Sequence, residues 1–187
     1  MKKILSVLLC TVLLVALVGC GGYTDAYNQK LYDFQMEALT GGATAEKTCN
    51  MVYDIWKDAI YEDDNAETRE YTQGEYGFRD FNGALSSYFA SDEYASDMKS
   101  LEENQVNVDK MFRELKNPPR GCEDGYEIAE ELYNAYDELL SMAKNPSGSL
   151  NTYSADFSEA DTDFMNEYDK MKRYFSSADF TPEIKPE

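Results

Sequence analysis

The side chains able to do chemistry in this 187-residue chain are carboxylates, phenols and thiols, because it contains no histidine. The commonest general base and the commonest transition-metal ligand are therefore both missing. Two acidic stretches are candidates for holding a cation: Asp63, Asp64 and Glu67, and Asp156, Glu159, Asp161 and Asp163. A calcium loop of the EF-hand type alternates oxygen ligands and needs glycine at its sixth position. Neither stretch has that glycine in register, so both read as solvated acidic faces. A phosphate cradle is also missing, since Gly-Lys-Ser/Thr never occurs and the glycines are scattered. The sequence is thus expected to have no catalytic residue, metal site or cofactor, and to be no enzyme.

Cys49 and Cys122 could in principle form a disulfide, and whether they meet depends on the elements that carry them. From Tyr27 the apolar or small positions are Tyr27, Leu31, Phe34, Ala38, Gly42, Ala45, Cys49, Val52, Trp56 and Ala59, at steps of three and four throughout. Gly41-Gly42 does not break the phase, which predicts one helix from about Thr24 to about Asp63 in which glycine lets a neighbour approach closely. On that geometry Cys49 lies roughly 37 Å along the helix from its start, Cys122 starts a later helix at the opposite end, and both are buried, unpaired thiols. The alternative is a turn at Gly41-Gly42, which would bring the two cysteines to one end and permit the disulfide.

A polar loop, Asp64 to Gly77, follows. A second run then spans Phe81, Leu85, Tyr88, Ala95, Met98, Leu101, Gln105, Val108, Phe112 and Leu115. Ser91-Asp92-Glu93 interrupts it in the manner of a capped helix start, and Asn117-Pro118-Pro119 ends it. A third run carries Ala129, Leu132, Tyr133, Tyr136, Leu139, Leu140 and Ala143 and stops at Asn145-Pro146-Ser147-Gly148. A fourth carries Leu150, Tyr153, Phe157, Ala160, Phe164, Tyr168, Met171 and Phe175. The predicted fold class is all-α, an antiparallel up-down bundle of about four long helices over residues 24–176, the first two longer than the last two, with an acidic tail at 177–187. Tyr133 and Tyr136, three apart, read as core phenols. Tyr71 and Tyr76 fall in the polar loop and are the candidate partner-contact residues.

The N-terminus is of another kind. Lys2 and Lys3 precede an apolar stretch from Ile4 to Val18. As a helix it would rise only about 22 Å, short of the ~30 Å hydrocarbon core of a bilayer. It is signal-peptide length. The stretch ends in Leu17-Val18-Gly19-Cys20, which resembles the lipobox of bacterial lipoproteins. That resemblance implies a signal peptide at 1–19, a diacylglyceryl group on Cys20, a lipidated N-terminus at 20–23 and a location on the outer face of the bacterial cell membrane. Two acyl chains suffice for stable anchoring.

Removing residues 1–19 takes away two lysines and no acid, so 15 basic residues face 36 acidic ones and the charge moves from -19 to -21. Such a surface disfavours nucleic acid and anionic headgroups as partners. Fifteen Tyr and nine Phe supply ample core surface for one domain.

The segments Tyr53-Asp54-Ile55-Trp56-Lys57-Asp58-Ala59-Ile60-Tyr61, Asp80-Phe81-Asn82-Gly83-Ala84-Leu85, Leu115-Lys116-Asn117-Pro118-Pro119 and Asn145-Pro146-Ser147-Gly148-Ser149-Leu150 resemble an uncharacterised family of small helical lipoproteins from Gram-positive gut bacteria. The resemblance implies the same membrane address and no activity. The expected role is that of an anchored structural or protein-interaction module of the envelope, whose partners are the membrane, through the lipid, and another envelope protein. The competing expectation is a module with a cavity between helices near Gly41, Gly42 and Ala43 for a lipid, peptide or cation.

Overall fold

A computed structural model describes residues 2–184, with side chains from Tyr23 onward. Helix α1 spans Lys2–Tyr61 without interruption. A short helix α2 (Arg69–Thr72) and a two-stranded hairpin of β1 (Gln73–Gly74) and β2 (Gly77–Phe78) follow. Then come α3 (Phe81–Phe89), α4 (Asp92–Glu114), α5 (Glu123–Lys144) and α6 (Leu150–Ser177). The fold is an all-α bundle.

Side-chain contacts fix the directions. The Tyr27 hydroxyl at the lower end of α1 donates to the Leu115 carbonyl just past α4 (2.7 Å), whereas Lys47 higher up reaches Asp97 near the start of α4 (3.0 Å). Those two helices are therefore antiparallel. Tyr133 bonds Asp109 and Lys144 bonds Gln105, so α5 reverses again. Asn28 meets Tyr174 and Gln35 meets the Tyr168 carbonyl, so α6 opposes α1. The order is up-down-up-down.

All ten positions of the first apolar stripe are buried, because the 3.6-residue period points them to one side. The stripe passes through Gly41-Gly42 because two neighbours need the room. A Cβ on Gly41 would overlap the Asn104 amide and the Tyr136 ring, and one on Gly42 would overlap the Phe164 ring. The glycines thus sit in a tight junction of α1 with α4, α5 and α6, and no void opens there. Asn104 uses the close approach: its amide nitrogen donates to the Glu37 carbonyl (2.9 Å) and its amide oxygen accepts from the Tyr136 hydroxyl (2.7 Å).

The second run is two helices. Ser91 ends the connection, and its hydroxyl accepts from the Tyr94 amide as an N-cap. That split makes α4, at 23 residues, shorter than the 28-residue α6, against the expected order of lengths. Phe81 and Ala95, assigned to the second stripe, are exposed, and Asn104 rather than Gln105 takes the buried position. The steps Leu101, Asn104, Val108 are the true face of α4.

Beyond α6 the chain folds back on α1. Phe180 packs on Phe175 (5.5 Å between ring centres). The Glu183 amide donates to Gln29 Oε1 (2.8 Å) and Gln29 Nε2 donates to the Glu183 carbonyl (3.3 Å). The acidic tail is therefore attached as far as Glu183.

Candidate functional site

Residues 62–80 form a cap on the end of the bundle where α1 finishes, and their order is built on one buried carboxylate. Asp58, 1 % exposed, lies in the last turn of α1. Its Oδ2 accepts from Asn65 Nδ2 (3.0 Å) and from the Thr68 hydroxyl (2.8 Å), and the Lys57 ammonium stands 3.4 Å from its Oδ1. The Asp58 carbonyl also receives the Asp63 amide (3.0 Å), and Glu62 takes a left-handed φ of 56° to make that turn. A buried charge requires such partners, so the chain leaving α1 is pinned back on it.

The pin sets up α2 and the hairpin. Thr72 is buried, and its carbonyl accepts the Arg79 amide (2.7 Å). The Arg79 guanidinium closes the structure from the other side, with Nη1 donating to the carbonyls of Tyr71 (2.7 Å) and Glu70 (3.1 Å) and to the Ser87 hydroxyl (3.3 Å). Gln73 reaches Asp64 (3.1 Å). The strands pair Gln73 with Phe78 and Gly74 with Gly77, leaving Glu75-Tyr76 as a two-residue turn with Gly77 at φ 114°. Tyr76 at this tip is 95 % exposed. Ile60, Tyr61 and Phe81 are exposed at the same end of the bundle, with Phe81 stacked on Trp56 at 6.0 Å.

The structure separates the two tyrosines paired by their place in the loop. Tyr76 is presented to solvent. Tyr71 is not: it is buried, packs edge-on against Tyr88 at 5.1 Å and donates to Glu93 (3.0 Å). Burial, together with the Glu93 carboxylate, pushes its phenol up to about 12. It is a core residue of the cap and corrects the expectation of a contact residue. Four residues of helix turn it inward, a feature too short for periodicity to reveal. Asp58 was also missed; its signal is an acid three residues after core Ile55, on the buried face immediately before a polar loop.

Cys20 lies outside the residues whose side chains are described. Cys49 and Cys122 are both buried and free, as the continuous helix requires. Burial pushes the Cys49 thiol up to about 11 and raises that of Cys122 as well. Both therefore stay protonated and behave as small apolar residues. Among the described residues no three Cys, Asp or Glu side chains gather as a metal site. Nor, among residues 23–184, is any helical stretch long and apolar enough to cross a membrane. A groove of about 580 Å³ between the foot of α1 and the tail, lined by Asp25, Gln29, Asp179 and Phe180 among others, is open to solvent.

No family model, curated protein or solved structure matches the chain. The chemistry of the cap formed by residues 62–80 is that of contact. It holds one fully presented aromatic ring on a braced support, with exposed apolar side chains at the same end of the bundle.

Proposed function

We propose that the protein is a lipid-anchored module of the bacterial envelope that docks another protein on its distal cap. The observation that carries this reading is Tyr76, 95 % exposed on a hairpin that springs from α2, whose carbonyls are held by Arg79 and whose approach from α1 is pinned by Asp58. A tyrosine offered on a rigid support loses little conformational entropy on binding, and tyrosine is enriched among the residues that dominate interface energies. The anchor rests on Leu17-Val18-Gly19-Cys20 at the end of an apolar stretch too short to span a bilayer. Helix α1 then joins anchor and cap directly. From Tyr23 to Tyr61 it rises roughly 57 Å, which holds the cap that far from the anchored end. The overlap that any Cβ at Gly41 or Gly42 would meet weighs against a ligand cavity between the helices.

Two measurements test the reading. Intact mass of the protein extracted from its native membrane is expected to begin at Cys20 with a diacylglyceryl group and to be unchanged by reduction; a mass without lipid sinks the anchor. A photo-crosslinking residue at position 76 is expected to yield a discrete protein adduct on intact cells. At Val106, 66 % exposed on α4, the same probe is expected to yield none, and equal labelling at the two positions would remove the cap from consideration.

A further inference from the structure

We infer that the partner of the distal cap is a protein surface with a cationic rim, a pocket for the Tyr76 ring bordered by lysine or arginine. This rests on the reading of the cap as a docking surface and adds the chemistry of what docks. Residues 62–80 carry seven acids and two arginines; Arg79 is committed inside the cap, and Arg69 is neutralised by a carboxylate on its surface. Arg69 Nε lies 2.7 Å from Asp64, and the Arg79 guanidinium is spent on the carbonyls of Glu70 and Tyr71. The nearest lysine on α1, Lys57, is turned to Asp58. Glu62, Glu67 and Glu75 are exposed, and Glu75 is the immediate neighbour of Tyr76. What this end of the molecule shows a partner is thus the Tyr76 ring with the Glu75 carboxylate beside it in the turn, and the exposed Ile60, Tyr61 and Phe81 where the bundle meets the cap.

Charge at the rim of an interface steers encounter and rejects like-charged surfaces, while the buried ring supplies most of the affinity. Anionic partners such as nucleic acid, acidic headgroups or polyanionic wall polymers meet repulsion here. An acidic chain of net charge -19 would also repel a second copy of itself. A basic protein surface is the class that satisfies both the ring and its border.

The test uses the full-length chain in its native membrane, with the photo-crosslinking residue at position 76 and a second version that also carries Glu67→Lys and Glu75→Lys. Both acids are exposed, so the melting temperature is expected to stay unchanged, which separates lost docking from lost fold. The expected result is an adduct whose yield falls at least tenfold on charge reversal and falls steeply as salt is raised, with the crosslinked peptide of the partner rich in lysine and arginine. An adduct indifferent to both changes overturns the cationic partner and leaves the docking reading standing. An adduct no stronger at position 76 than at position 106 overturns the docking reading, and the inference with it.

Discussion

Tyr136 and Tyr153 are phenols buried to within 1 % exposure, and they differ in what their hydroxyls meet. The Tyr136 hydroxyl donates to Asn104. That of Tyr153 has no oxygen or nitrogen partner and meets only the Cys49 thiol, a weak one. Removing the first oxygen leaves the Asn104 acceptor unsatisfied in the core, whereas removing the second takes away a desolvated group held only by a weak thiol contact. Tyr136→Phe is accordingly expected to lower stability by about 1–2 kcal/mol, and Tyr153→Phe to leave it unchanged or raise it by about 1 kcal/mol. Denaturant unfolding of both variants checks the contrast, and equal losses would refute it. Gly41→Ala tests the same junction from the other side. Alanine is about 1 kcal/mol better than glycine in a helix interior, yet here its methyl overlaps Asn104 and Tyr136, and overpacking costs typically 1–3 kcal/mol. A net loss of about 1 kcal/mol is expected, where the same change at an exposed helical site is a gain, with part of the loss recovered in Gly41→Ala/Asn104→Ala.

Elements built from long periodic runs were legible in the sequence, and the short ones were not. Helix α1 is the clearest case: ten consecutive stripe positions kept phase across Gly41-Gly42, and the helix is continuous. The break between α3 and α4 was legible from Ser91-Asp92-Glu93, because capping is local chemistry. Ser91→Ala is expected to cost about 1 kcal/mol, read as a lower melting temperature with unchanged helix content. The cap could not be read in the same way. Its order comes from Asp58 reaching seven and ten residues ahead and from Arg79 reaching eight and nine behind, contacts that carry no period. For that reason the sequence placed Tyr71 and Tyr76 in one class, although a single turn of α2 buries one and the hairpin exposes the other. The cap should also come loose separately from the bundle. Asp58→Ala removes the acceptor of Asn65 and Thr68 while leaving the stripe intact, so amide exchange in residues 62–80 is expected to accelerate while protection in α1, α5 and α6 holds. Uniform loss of protection would mean that the cap and bundle form one cooperative unit.

At the scale of the whole molecule the phenols and thiols set a limit in alkali. Burial raises Tyr27, Tyr88, Tyr136, Tyr153 and Tyr174 above the ordinary tyrosine value of 10.0, and pushes Cys49 from 9.0 to about 11. Tyr133 is pushed up to about 12, first by its bond to Asp109 and then by burial. In every case the neutral form is the one the fold favours. Below the ordinary values folded and unfolded chains both hold these protons, and the stabilisation is fully present. Above them the unfolded chain releases protons that the folded chain retains, so stability falls as pH rises from about 9 to 12. The excess of acids acts in the same direction, because each phenolate formed adds to the self-repulsion of a chain already at -19. The expected outcome is helix content that is flat to about pH 9 and then lost in one cooperative step, in which the phenolate absorbance of the buried tyrosines appears together with the loss of helix. Added salt should move that step to higher pH by screening the repulsion. If most of the tyrosine absorbance titrated while the helix signal persisted, the phenols would be solvated and the close-packed bundle described above would be wrong.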